Sequence, residues 1–341
     1  MKRLATLLLA AAALVSVPAL AQDIGYTTAQ PLQLPVGTFM GQAMGVATNS
    51  KGDVLVYTRN SDPIMVLGGS RAFAHGGSSL YEFAPDGKFI RQIGSHVYGF
   101  LDAQAVRVDS HDNIWVVDGY SSMVMKFDSQ GHLLMLLGRK PESVDVPQGP
   151  ERDRANPPGS GAQSDLFSKP TDVAWDGDGN IFVADGLGNA RIAKFTSEGV
   201  FVKSWGSRGT GQDQFHSVAS LAVDASGNVY AADRGNSRIQ VFDNNGNYKS
   251  SITGVGDPMA LCITPGAHQM LYSSNSNPPG DLDAGGEISK VELSGTVVGR
   301  FGHAGKMPME FGTVNQIDCR GGNTLYVAEA GNWRVSKVNL H

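Results

Sequence analysis

The sequence predicts an all-β chain folded as a six-bladed β-propeller, and three observations carry that expectation. A unit of short apolar–polar alternation recurs: Asp185 and Asp233 lie 48 residues apart, as do Gly179 and Gly227, and Glu329 follows Asp233 at twice that spacing. Alternation at period two reads as strand. The units are punctuated by Asp-Gly, Gly-Asn and Asn-Gly pairs, and the 43 glycines follow no Gly-X-Y period. Such residues supply the positive φ that hairpin turns demand.

The elements follow in chain order. Met1-Lys2-Arg3 is basic, Leu4 to Val17 is an apolar run broken by Thr6 and Ser16, and Ala19-Leu20-Ala21 has the small-x-small pattern of a cleavage site. The run is short of the roughly 20 apolar residues of a membrane span. Residues 1–21 are therefore predicted to be a signal peptide cut before Gln22, giving an exported protein, periplasmic or extracellular, with no later span. Residues 22–341 form a single propeller with blades at about 38–98, 101–139, 167–206, 214–253, 256–302 and 308–341. The first copy reads GVATNSKGDVLVYTRN (45–60) and the second AVRVDSHDNIWVVDGYSSMVMKF (105–127). In the third, strands A to D fall at 171–176, 180–184, 190–195 and 200–205. The fifth, ALCITPGAHQMLYSSN (260–275), diverges. The sixth stops at His341 after three strands, so residues 27–35 are expected to supply its outer strand and close the ring.

Net charge is −5 with 17% charged residues. No basic excess exists to neutralise phosphates, which excludes nucleic acid as the main partner. The two cysteines, Cys262 and Cys319, lack the spacing of a metal or redox motif. They fall on innermost strands of neighbouring blades, where a disulfide and two reduced buried thiols are both open.

The units carry an Asp-Gly-x-Gly-Asn turn, an apolar strand B, and an acidic residue followed by Asn-x-Arg. The last reads Asp185…Asn189-Ala190-Arg191, Asp233…Asn236-Ser237-Arg238 and Glu329…Asn332-Trp333-Arg334. This pattern resembles NHL repeats. Because the acid–arginine pair recurs blade by blade, it reads as a structural tie of the B–C loop rather than as catalytic machinery. Blade two has Met123 in place of the arginine, so no tie is expected there.

In a propeller, D–A and B–C loops open on one face and A–B and C–D turns on the other. The long irregular segments 60–78, 139–167 and 275–285 all fall on the first, which marks it as the functional face, with a covered central pocket expected there. Segment 139–167 reads as either a lid or a disordered excursion.

GVATNSKGDVLVYTR in blade one, HDNIWVVD followed by LLMLLGRK, FSKPTDVAWD, and GNARIAKF followed by GVFVKSWG together resemble the peptidyl-α-hydroxyglycine α-amidating lyase branch. That resemblance implies zinc held by three histidines at the starts of innermost strands, a tyrosine base and a substrate-binding arginine. Arg59 matches the arginine. The histidine positions hold Gln104, Ala219 and Asn315, Leu187 stands at the tyrosine position, and Gln316 replaces an aspartate that helps hold calcium. Two amides and a methyl do not make a zinc site, so zinc and amidating-lyase activity are not expected.

What remains at the mouth is polar. Arg59, His75, Gln104, Asp172, His216 and Asn315 are the candidate ligand-binding residues, with Thr171, Ser220, Gln316, Met44 and Met259 completing the ring. His75 and His216 are the weak alternative for a metal, and a structural calcium held by backbone carbonyls remains open. Amides, a guanidinium and a phenol suit a carboxylate or carbonyl. The expected function is binding of a small ligand, a peptide or an envelope protein on the insertion face, by a monomer. The alternative is a zinc-independent lyase or hydrolase acting on a small carbonyl or carboxylate through Arg59 and Tyr120.

Overall fold

A computed structural model describes residues 21–60, 65–67, 71–73, 77–139, 166–278, 281 and 283–341. The predicted signal peptide, His75 and the lid-or-excursion question at 139–167 lie essentially outside the described residues.

Six four-stranded antiparallel sheets stand around a central channel, which is the predicted propeller. Strand A of each blade is innermost: Gln42–Thr48, Ala103–Val108, Asp172–Trp175, Val218–Val223, Pro258–Ile263 and Val314–Gly321. Neighbouring A strands touch all the way round, the sixth meeting the first. Tyr26–Ala29 pairs antiparallel with Arg334–Leu340 as the outer strand of blade six. The N-terminal strand thus closes the ring, using only the first part of 27–35; Gln33 instead bridges to Lys88 of blade one. Gln22–Asp23 adds a fifth strand, parallel, to the edge of blade five.

The hairpin turns share one device. In the blade-three A–B turn, Asp176 Oδ1 accepts the backbone N–H of Asp178 and of Asn180. Gly179 donates its N–H to the Asp176 carbonyl at φ +82°, a conformation glycine adopts without steric cost. The same geometry recurs at Asp128, Asp224 and Asp243.

Packing explains why the B strands read as almost continuous apolar runs. Both faces of each blade are buried, and alternate residues serve opposite neighbours. In blade one, Leu55 and Tyr57 pack against blade two while Val54 and Val56 pack against blade six. Between blades two and three, Trp115 stacks on Trp175 with centroids 5.7 Å apart. Cys262 and Cys319 form a disulfide that joins the innermost strands of blades five and six, Cα atoms 6.0 Å apart.

Candidate functional site

On the insertion face, the B strands of blades two, three, four and six end in buried acids, Asp118, Asp185, Asp233 and Glu329. Asp185 takes Arg191 Nε at 2.8 Å, Asn189 Nδ2 at 2.7 Å and the Ser168 N–H at 2.7 Å. Asp233 and Glu329 repeat the pattern with Arg238 and Arg334, together with Asn236 and Asn332. Each carboxylate therefore fastens its B–C loop to the incoming D–A loop, as expected of a structural tie. Burial pushes Asp185 above the usual carboxylate range even though the Arg191 charge opposes it.

Blade two corrects one expectation. Its acid, Asp118, has no arginine, yet the tie is present in another form. Asp118 accepts the N–H groups of Leu101, Asp102 and Ser121 at 2.8–2.9 Å and the Tyr57 hydroxyl at 2.9 Å from blade one. Burial raises the Asp118 carboxyl against the pull of these donors, and burial together with the Asp118 charge pushes the Tyr57 phenol well up.

Arg59 ends strand B of blade one and is braced rather than free-swinging. Its Nε donates to Gln42 Oε1 at 2.5 Å and its Nη1 to Asp102 at 2.6 Å. Asp102 also accepts Gln104 Nε2 at 2.9 Å. A Cβ at Gly119 would lie 2.7 Å from Asp102 Oδ2 and 2.9 Å from Gln104 Nε2, so the turn before Tyr120 needs glycine for this trio to close. Arg59 Nη2 has no partner among the described residues, and the side chain is 30% exposed. Tyr120 is exposed, with Lys169 Nζ 5.6 Å from its ring centroid. Arg59, Gln104 and the backbone before Tyr120 are thus brought together around Asp102.

The other predicted residues divide. Asn315 Nδ2 donates to the carbonyls of Met44 (2.6 Å) and Gln104 (2.9 Å), bracing blade six to blades one and two. His216 is exposed, its Nδ1 3.4 Å from the Gly235 carbonyl. Asp172 is buried in the channel rather than displayed at its mouth. It is held bidentately by Arg107, Nε to Oδ1 at 3.0 Å and Nη2 to Oδ2 at 2.6 Å, and accepts Ser220 Oγ at 2.6 Å.

Arg107 is the residue that sequence reasoning missed. Its Nη2 also reaches the carbonyls of Leu221 and Leu261, so one side chain from blade two touches blades three, four and five. Gln316 does the equivalent on the other side, accepting the N–H of Val46 and Val106 and donating to the Val106 carbonyl at 2.7 Å. Arg320 Nη1 donates to the Val108 carbonyl. The channel carbonyls of Val106, Val108, Leu221 and Leu261 are thus taken by protein donors, two of them guanidinium groups. That arrangement does not fit calcium, which needs 6–8 oxygen ligands. Nor do Gln104, Ala219 and Asn315 fit zinc, and among the described residues no group of three or more His, Cys, Asp or Glu is placed to hold a metal.

Below Arg107 lies a cavity of about 180 Å³ lined by Val46, Val173, Trp175, Leu221, Asp318 and Arg320 among others. These residues occupy the later parts of the A strands, so the cavity opens towards the short A–B turns, opposite the long insertions on which the sequence reading centred its pocket.

An NHL repeat model matches residues 215–242, which hold strands A, B and C of blade four. NHL repeat-containing protein 3 of Mus musculus is 26% identical over 275 residues, 75% of this chain and 71% of that protein. Peptidyl-alpha-hydroxyglycine alpha-amidating lyase 1 of Drosophila melanogaster is 29% identical over 256 residues, 70% of this chain and 44% of that protein. Virginiamycin B lyase from Staphylococcus aureus shares the fold at a TM-score of 0.57 and 13% identity, over 93% of this chain and all of that one. The chain is an NHL-repeat-like six-bladed β-propeller, related in sequence to the amidating lyases. No helix among its described residues is long and apolar enough to cross a membrane.

Proposed function

We propose that this propeller is an exported, monomeric binding protein that takes a small ligand or peptide by a carboxylate on its insertion face, without amidating-lyase chemistry. The observation that carries the reading is Arg59. Gln42 and Asp102 fix its guanidinium, and Nη2 has no partner among the described residues. A planar cation held in place loses little freedom on gripping a carboxylate. Gln104 stands beside it through Asp102. Export rests on the basic, apolar and small-residue pattern before Gln22. At the positions where the resemblance to amidating lyases implies zinc histidines, Gln104 is held by Asp102, Asn315 braces blade six to blades one and two, and Ala219 is a methyl, which supports binding without that metal chemistry.

Hippurate and α-hydroxyhippurate test this together. Hippurate should bind by calorimetry, and Arg59→Ala should weaken it about tenfold or more, as for loss of a charge-assisted hydrogen bond. α-Hydroxyhippurate should release no glyoxylate, with or without added zinc. Zinc-dependent glyoxylate would restore the lyase reading, and hippurate binding untouched by the substitution would remove Arg59 from the site.

A second reading, a zinc-independent lyase or hydrolase using Arg59 and Tyr120, is favoured by one contact. Gly119, which carries Tyr120, donates its N–H to the carbonyl of Asp102, the residue that braces Arg59. Turnover of a small ester or lactone that Tyr120→Phe abolishes would support it.

A further inference from the structure

The lower half of the channel carries an unused donor. Arg107 makes all of its bonds through Nε and Nη2: to both oxygens of Asp172, to Ser220 Oγ, and to the Leu221 and Leu261 carbonyls. Its Nη1, with two N–H groups, has no partner among the described residues. Nor is it sealed among the buried polar atoms left unpaired, and the Arg107 side chain is 16% exposed. Arg107 lines the 180 Å³ cavity beneath it.

Asp318 is the one carboxylate among the residues lining that cavity. The carboxylate of Asp318 is already taken by the Thr48 N–H and hydroxyl and by the Arg320 N–H and Nη2. The larger part of the wall is apolar, with Val173, Leu221, Val223 and Ile263 contributing to it. Formal charge is balanced, Arg107 against Asp172 and Arg320 against Asp318. A molecule that fits must bring its own acceptor oxygens for Arg107 and an apolar body for the walls. A guanidinium donor favours an anionic acceptor over a neutral one. A cavity of about 150 Å³ takes benzene, so this one suits a compact branched or aromatic acid.

We propose that the channel holds a second ligand site, opening on the A–B turn face, which binds a small apolar monocarboxylate through Arg107 Nη1. It is independent of the insertion-face reading, sharing no side chain with the Arg59 cluster. The Cys262–Cys319 disulfide stands at its wall and ties two of the A strands that frame it.

Isovalerate and its neutral isostere isovaleramide are the probes, titrated into the full mature protein by calorimetry. Isovalerate should bind, and isovaleramide about tenfold more weakly, as for loss of the anionic acceptor. Arg107→Lys keeps a cation for Asp172 but has no second arm, and Val223→Trp fills the cavity from its mouth. Each should weaken isovalerate about tenfold or more while cooperative thermal unfolding is retained. Failure of wild-type protein to bind isovalerate would overturn the site. So would isovalerate affinity unchanged in both folded variants. Equal affinity for the amide would overturn the assignment to carboxylates, and displacement of isovalerate by hippurate would move it to the insertion face and overturn the second site.

Discussion

Tyr57 and Asp118 show how one residue position can be filled by different chemistry without losing its task. In blades three, four and six an arginine from strand C closes on the acid at the end of strand B. In blade two the partner comes from the neighbouring blade, and it is a neutral phenol. Burial therefore dominates, and the folded pKa of Asp118 lies above its ordinary 3.8. A carboxyl raised in the folded state contributes its full stability below the unfolded pKa and loses it as pH rises through the folded value. Removing the Tyr57 hydroxyl takes away a donor that favours the charged form, and so raises Asp118 further. Tyr57→Phe should cost about 1–3 kcal/mol at pH 7. The cost should shrink between pH 7 and an acidic pH, as Asp118 takes up its proton in both proteins. Urea unfolding at the two pH values measures it, and a cost that grows on acidification would show that Asp118 is not the group responsible.

At the scale of strands and turns, most of the architecture is written locally and most of the channel is not. An Asp two and four positions before the N–H groups it caps, with glycine between them, is visible as a string of letters, and so is the period-two alternation of a B strand. Arg107 is not legible in this way, because its acceptors lie 65 to 154 residues away and only ring closure brings them to one point. Gln316 looks like a lost acid in sequence, whereas in the fold its amide bridges strands 210 and 270 residues distant. Arg59 was legible because its place in the repeat is local, but its bracing by Asp102 depends on blade two. The outer strands carry a different message. Leu133, Leu134 and Leu136 in blade two and Phe201 and Val202 in blade three are exposed on edge strands, with Val200 exposed just before the second. Such edges invite pairing with other chains. Leu134→Lys with Val202→Lys should raise the concentration at which the protein precipitates and shift unfolding free energy by no more than about 0.5 kcal/mol each. A larger loss of stability would mean that these side chains are covered in the folded protein.

At the scale of the whole molecule, the interface between blades five and six is fastened twice. At its inner edge the disulfide joins the A strands of blades five and six across a sequence separation of 57. Loop-closure entropy for that length corresponds to about 4 kcal/mol. At its outer edge the N-terminal segment serves both blades, Gln22–Asp23 on blade five and Tyr26–Ala29 on blade six. Ile24 and Tyr26 pack into the cluster between them, with Tyr26 5.3 Å from Phe301 and 6.0 Å from Phe311. These fastenings hold different depths of the same interface and so should not substitute for one another. A chain beginning after Ala29 keeps the covalent inner tie but leaves Arg334–Leu340 as an unpaired edge and uncovers the aromatic cluster. Local opening should then spread from the outside inwards. Hydrogen exchange should accelerate first at Val297–Phe301 and Arg334–Leu340, while Ile181–Asp185 and Val229–Asp233 keep their protection. If exchange instead rises evenly round the ring, closure is a property of all six blade interfaces, and the N-terminal strand adds only its own pairing energy.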